Sequence, residues 1–323
     1  MNLKKALLAI AMCFMLLVPA VGAIAYDMYP GSFKEFPATL PPDYQQYFQE
    51  DVAINMETSI TKIIVLGTAE GLYPDVDENG KTIARRGVGI FGQEGSGFYV
   101  GHGYFVTNAH VVIPSAVTVQ VNKWVSWTTT PVKIVTLQIM IGQNTGLGSC
   151  PGELVWTDYE RDLALVKVVG NWPALESLEY ELGWTTQGGD QLYPGMAVAT
   201  IVAIRTDAAN GDISKTPFFE VRYGTIVDTH AVIPGPLGTG HSMEENLPWF
   251  SINDVTMTTQ IYPGDSGSPV FGFENGRPVI IGVARAAVNY YTIDFGPEGY
   301  EFNVYYASYF TRIDMVIPFT LEK

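Results

Sequence analysis

The chain has 323 residues, 47% of them hydrophobic and 16% charged. That composition excludes a disordered or fibrous protein. The formal net charge of −15 repels phosphate backbones and anionic lipid, so no nucleic-acid partner is expected. With 33 Gly, 20 Pro, 18 Tyr and 16 Phe, strands and turns are favoured over a helical bundle.

The first 25 residues differ from the rest. Lys4 and Lys5 precede an unbroken apolar stretch from Ala6 to Leu17, followed by Pro19 and small residues at Val21-Gly22-Ala23 and Ala23-Ile24-Ala25. This is the pattern of a cleavable signal peptide. It predicts export to a periplasmic or extracellular compartment, with membrane contact only if the segment stays uncleaved. Of the two cysteines, Cys13 lies inside this stretch. Cys150 is then left alone, without an intramolecular disulfide, and reads as a small buried hydrophobe.

Tyr26 to about Asp51, with Pro30, Pro37, Pro41 and Pro42, reads as an extended lead-in. Thr58–Leu66 is a β-branched run and a predicted strand. Asp75, Asp77, Asn79 and Gly80 imitate the start of a calcium loop, but the twelfth position is Arg86, where calcium needs a bidentate Glu. The segment is therefore predicted to be a hairpin turn at Asn79-Gly80. Short strands are then predicted at Gly97–Val100, Tyr104–Asn108, Val117–Val121, Lys133–Ile141, Leu163–Val169, Ala197–Ile204, Phe218–Val227, Val255–Ile261, Pro269–Phe273, Val279–Ala284 and Phe302–Tyr306. Asn171–Pro194 reads as a connector between two halves, and His230–Asp254, rich in Pro and Gly, as a long loop. Helical periodicity is weak until the C-terminal end, where the pattern leaves room for a short helix.

Three segments carry chemistry when taken together. Thr107-Asn108-Ala109-His110-Val111 ends a strand. Arg161-Asp162-Leu163-Ala164-Leu165-Val166-Lys167-Val168 begins one. Tyr262-Pro263-Gly264-Asp265-Ser266-Gly267-Ser268-Pro269 places glycines on both sides of a serine. The glycines allow a tight loop that presents Oγ and turns the amides of Gly264 and Ser266 the same way. A Ser hydroxyl needs an adjacent base, His suits that role, and a carboxylate fixes the His tautomer.

In the order His, Asp, Ser these segments resemble trypsin-like serine endopeptidases of the chymotrypsin fold, and the T-N-x-H-V and D-L-A-L-x-K-V segments are most similar to the bacterial HtrA/Deg type. Gly282-Val283, Gly224-Thr225-Ile226-Val227 and Thr311-Arg312-Ile313-Asp314-Met315-Val316 resemble other strands and the closing segment of that family. The likeness spans roughly Gly87 to Lys323.

The resemblance implies an all-β fold of two packed antiparallel β-barrels. It implies a signal peptide at 1–25, a lead-in or propeptide-like extension at 26–86, and a protease domain at 87–323, with barrel one at about 87–170 and barrel two at about 190–323. Too few residues follow Ser266 for the PDZ domain common in HtrA proteins, so none is expected. The implied catalytic residues are His110, Asp162 and Ser266, with the amides of Gly264 and Ser266 as oxyanion hole. Gln260, Ile261, Ala284 and Arg285 are the implied substrate pocket.

The nucleophile segment departs from the HtrA pattern at Asp265, which is the animal trypsin pattern, and at Ser268, which resembles glutamyl endopeptidases. Asp158 is a rival orienting carboxylate. Arg85-Arg86 is either a processing site or a surface charge pair. His102, His230 and His241 lack partners at metal-ligand spacing, so neither metal nor cofactor is expected. Ser96 reads as a turn residue. The implied function is peptide-bond hydrolysis of polypeptide substrates through an acyl-enzyme. The alternative is a catalytically silent binding or regulatory protein on the same fold.

Overall fold

The computed structural model describes residues 40–56, 59–143, 149–158, 161–170, 192–203, 219–231, 254–262, 264–274, 277–296 and 299–313. The signal segment, most of the Asn171–Pro194 connector, most of the His230–Asp254 loop and the C-terminal helix expectation lie outside these residues.

Two sets of strands close on themselves. In the first, β1 (Ile60–Val76), β2 (Thr82–Tyr99), β3 (Tyr104–Thr107), β6 (Pro131–Gln143), β7 (Ser149–Asp158) and β8 (Leu163–Val168) run in the order β1-β6-β7-β8-β3-β2. The β1–β2 pairing closes this ring. The hairpin of β4 (Val117–Gln120) and β5 (Ser126–Thr129) extends from β2. The second set is a closed barrel in the order β10-β11-β14-β13-β12-β9. Its strands are β9 (Ala197–Ala203), β10 (Phe219–Ala231), β11 (Asp254–Met257), β12 (Pro269–Glu274), β13 (Arg277–Gly296) and β14 (Gly299–Arg312). All pairings are antiparallel, and closure removes the open edges that would invite aggregation.

The apolar runs in the sequence follow from where these strands sit. In β8, Ala164, Val166 and Val168 fill the first barrel, while Leu163 and Leu165 turn to the seam between barrels. In β9, Val198 fills the second barrel, while Ala197, Ala199 and Ile201 face the seam. Strands covered on both faces lose the alternation of a half-exposed strand. Phe98, Val106, Leu163 and Leu165 of one barrel thus share a single core with Ile201, Phe271 and Phe273 of the other.

The segment before β1 differs from the expected extended lead-in. Pro42–Tyr47 (α1) is helical, Phe48–Ala53 continues with π-helical hydrogen bonding, and Ile54–Met56 (α2) finishes the run. Pro42 opens the helix with Asp43 in its first turn, both suited to an N-terminus. Leu40, Tyr44, Phe48, Val52 and Met56 are spaced by four and all buried in the seam core. A four-residue repeat drifts around a helix of 3.6 residues per turn, and the wider π turn brings it back into line. The tyrosines and prolines obscured this period in the sequence.

Phe48 stacks edge-on against Phe271 and Phe273, with ring centroids 5.3 and 5.5 Å away. The Tyr223 hydroxyl donates to the Gln45 carbonyl at 2.9 Å. Burial pushes that hydroxyl up to about 12, so it stays a donor. The folded domain therefore begins before residue 87. The first barrel takes two strands from Ile60–Tyr99, and the helix seals its junction with the second. Phe48→Ala is expected to cost about 3–5 kcal/mol, the range for an aromatic removed from a closed core, read as a lowered urea midpoint at unchanged slope.

Other sequence expectations fall into place around these elements. Asp77 Oδ1 accepts the amides of Asn79 and Lys81 at 2.9 and 2.8 Å, and Gly80 takes φ 77°, making the β1–β2 hairpin turn. Arg85 and Arg86 lie within β2, opposite Tyr73 and Leu72, and pair with Asp75 and Glu70; they form the surface charge pair. Strands β5 and β7 lie outside the predicted strands: β5 is only four residues long, and Ser149, Pro151 and Gly152 break the run of β7. Cys150 is free and buried in the first barrel. Burial pushes its thiol up to about 11, its backbone hydrogen bond acting weakly the other way.

Candidate active site

Antiparallel pairing places the end of β3 beside the start of β8, with Thr107 opposite Ala164. Residues just after one and just before the other therefore meet. His110 sits in the single turn Ala109–Val112 (α3) that follows β3. Asp162 occupies the turn before β8 with φ 55°, a left-handed conformation that Asp tolerates better than most residues. The conformation is held from several sides. The Asp162 carbonyl accepts Asn108 Nδ2 at 3.0 Å. Its Oδ1 accepts the His110 amide at 2.8 Å, and its Oδ2 lies 2.6 Å from His110 Nδ1.

Asp162 is fully buried, and a buried carboxylate needs compensating donors. A third comes from Arg285, itself buried, whose Nε is 3.2 Å from Asp162 Oδ2. The Arg285 guanidinium is thus the ion-pair counterpart of the buried Asp162 carboxylate.

The serine loop lies against both barrels. Gly264 and Gly267 each take φ 96°. A Cβ on Gly267 would run into the Ser96 carbonyl and the Thr107 hydroxyl, so glycine is required there both for conformation and for space. The Ser96 amide donates to the Ser266 carbonyl at 2.7 Å. The Gly264 carbonyl accepts Ser96 Oγ and Lys62 Nζ, both at 2.9 Å.

Within the loop, the amides of Asp265, Gly267 and Ser268 donate to Tyr262, Ala284 and Asp265 carbonyls. Those of Gly264 and Ser266 donate to no acceptor among the described residues. Ser266 Oγ donates to the Arg285 carbonyl at 2.9 Å. Ser266, Arg285, Asp162 and His110 thus form one continuous set of contacts across the seam.

The four expected substrate-pocket residues lie in different surroundings. Ile261 and Ala284 are buried in the core of the second barrel, and Arg285 points to Asp162. Gln260 is exposed, its Oε1 accepting the Tyr262 hydroxyl at 2.7 Å. Strand β11 ends at Met257, and the chain bends before Gln260. Ser96 is no turn residue but a buried member of β2.

Asp158, the rival carboxylate, is occupied by the Arg161 amide and by Arg161 Nη1 at 2.6 Å. His102 is exposed in the turn between β2 and β3. The side chains of His230 and His241 lie outside the described residues. No group of three or more His, Cys, Asp or Glu suited to a metal ion occurs among the described residues. Sequence reasoning missed the contacts of Lys62 and Ser96, which reach the site from ordinary strand positions and carry no motif; Asn108 stood in the His110 segment without an assigned role.

Among solved structures, the chain is similar to an inactive serine-to-alanine mutant of Rv3671c from M. tuberculosis, at 16% identity over 86% of this chain and 92% of that one, with a TM-score of 0.42. It is also similar to the HtrA-type protease AlgW bound to a decapeptide, at 16% identity over 84% of this chain and 64% of that one, with a TM-score of 0.41. No curated protein matches it. The family model for the trypsin-like peptidase domain matches residues 95–283, more than half the chain and the span from Gly95 on β2 to Val283 on β13. With two closed antiparallel barrels meeting at a seam that carries His110, Asp162 and Ser266, the chain belongs to the trypsin-like peptidase family.

Proposed function

We propose that this serine peptidase is an exported endopeptidase of the HtrA/Deg type that cleaves polypeptides through an acyl-enzyme, with Ser266 as nucleophile, His110 as general acid and base, and Asp162 orienting His110. The observation that carries the reading is the grip of buried Asp162 on both the ring and the amide of His110. That grip holds Nδ1 as the donor and leaves Nε2 as the base.

In the reaction, Ser266 Oγ turns from the Arg285 carbonyl toward His110 Nε2. It gives up its proton there and bonds the scissile carbonyl carbon. The oxygen that becomes negative is received by the amides of Gly264 and Ser266, the two in the loop that no described group claims. His110 then passes the proton to the leaving amine, and water repeats the sequence to release the acid. The export half of the proposal is supported by Lys4, Lys5 and the apolar Ala6–Leu17 run.

One observation favours the silent-binder alternative: Ser266 Oγ donates to the Arg285 carbonyl. A fluorophosphonate probe separates the two. Labelling of the folded protein at Ser266, mapped by peptide mass, is the expected result. The control is Ser268→Ala. Ser268 Oγ is buried with no hydrogen-bond partner among the described residues, so its removal should leave labelling intact and stability unchanged or slightly raised. An unlabelled native protein, or a label on Ser268, would sink the proposal.

A further inference from the structure

The acidity of the chain is unevenly spread. Of its 33 Asp and Glu residues, a single one, Glu94, falls between Asn79 and Gly152, a stretch that carries Lys81, Arg85, Arg86, Lys123 and Lys133. Glu94 lies 4.0 Å from Lys62 Nζ, and Arg85 and Arg86 pair with Asp75 and Glu70 of β1. Such asymmetry marks a surface whose partner differs from what the net charge suggests. The β4–β5 hairpin lies in the middle of this stretch and reaches out from β2, joined to it at Gly89–Val119 and Ile90–Thr118.

The tip of that hairpin is apolar. Trp124 is 86% exposed, Val125 46% and Trp127 44%, and Lys123 Nζ stands 5.4 Å from the centre of the Trp124 ring. An aromatic ring left almost wholly in water is unfavourable. The turn that presents it is nevertheless tied together by its own groups. Asn122 Oδ1 accepts the amides of Trp124 and Val125 at 2.9 and 3.0 Å. The Val121 amide donates to the Val125 carbonyl at 2.9 Å, and Ser126 Oγ donates to Gln120 Oε1 at 3.1 Å. With these polar groups paired inside the hairpin, the tip can leave bulk water without stranding them.

These features fit a bilayer surface that includes anionic headgroups. Tryptophan settles where the headgroups meet the acyl chains. Lys123 can lay its stem along apolar surface and reach a phosphate, and the hairpin carries no carboxylate for that phosphate to repel. The net charge of −15 opposes anionic lipid mainly at long range, because charges beyond about 8 Å are largely screened at physiological salt. A second copy meeting the tip by two-fold symmetry would instead set Lys123 against Lys123.

We propose that the β4–β5 hairpin is a membrane-docking element in which Trp124, with Val125 and Trp127, enters the headgroup layer while Lys123 meets anionic headgroups. The proposal is independent of the chemistry at Ser266.

The test is flotation of the purified native protein and its variants with vesicles of phosphatidylcholine alone and of equimolar phosphatidylcholine and phosphatidylglycerol. All the proteins share the native amino terminus, so any difference between them belongs to the hairpin. The native protein is expected on both, more tightly on the mixed vesicles, with its tryptophan emission moved to shorter wavelength. Trp124→Ala should lower partition at least about tenfold on both and remove most of the emission shift. Lys123→Gln should lower it about fivefold on the mixed vesicles alone, a difference that high salt erases. Trp124→Phe should keep most of the binding.

Trp124 belongs to neither barrel core nor the seam, so the melting temperature of Trp124→Ala and its labelling by the fluorophosphonate should match those of the native protein. Equal partition of native protein and Trp124→Ala overturns the proposal, as does native protein that binds neither kind of vesicle. Self-association of the native protein without lipid, abolished by Trp124→Ala, would give the tip to a second copy and overturn it as well.

Discussion

Ser266→Ala is expected to lower kcat/KM for a peptide substrate by a factor on the order of 10⁴–10⁶, leaving what the backbone amides and substrate binding supply. Thermal stability should barely move. The substitution removes one hydroxyl beside the Arg285 carbonyl and leaves no large cavity. His110→Ala should cost a similar amount, and the double variant little more than either, because the two residues act as a unit. Purified Ser266→Ala cleaving at the native rate would assign the chemistry elsewhere.

Asp162→Asn is the second large effect, a loss on the order of 10⁴ in kcat. Asparagine tolerates the left-handed backbone at φ 55° about as well as aspartate, so the turn survives and the change isolates the charge. The amide can donate where the carboxylate only accepted, which favours the His110 tautomer that cannot serve as base. Unlike Ser266→Ala, this variant should also lose stability. Buried Arg285 forfeits its ion pair with Asp162, and breaking one side of such a pair costs up to about 3–5 kcal/mol. The comparison is a melting curve beside an activity assay: Ser266→Ala separates the two readouts, and Asp162→Asn moves both. Full activity in Asp162→Asn would remove Asp162 from the mechanism.

What was legible in the sequence depends on local pattern. His110, Asp162 and Ser266 flank short strands with distinctive neighbours, and most strands announced themselves as β-branched runs between turn residues. The two closed barrels came from a resemblance, since strand pattern alone gives only an all-β chain. What stayed hidden depends on contacts between distant segments. Arg222 is one charged residue in a strand until folding sets it 2.6 Å from Asp265. Arg285, a pocket residue by resemblance, turns its side chain to an acid 123 residues earlier in the chain. The helix at Pro42–Met56 was missed for a different reason: its four-residue repeat fits neither the strand period nor the ordinary helical one, and only a π turn reconciles it.

The docking of that helix sets the order in which the molecule can be completed. Its partners are Tyr223, whose hydroxyl bond to Gln45 spans 178 residues, and Phe271 and Phe273 on β12. Closing so long a loop adds little to the equilibrium cost, which grows only with the logarithm of length. It weighs more on the rate, because contacts far apart in sequence form late. The Pro42–Met56 helix waits, its aromatic face uncovered, for strands near the other end. Ser266 precedes β12 by only a few residues, so the serine loop and the strand that lets the helix dock arrive together. A growing or partly folded chain cannot hold the loop, the seam and the helix at once, so all three are complete only when nearly the whole length is in place.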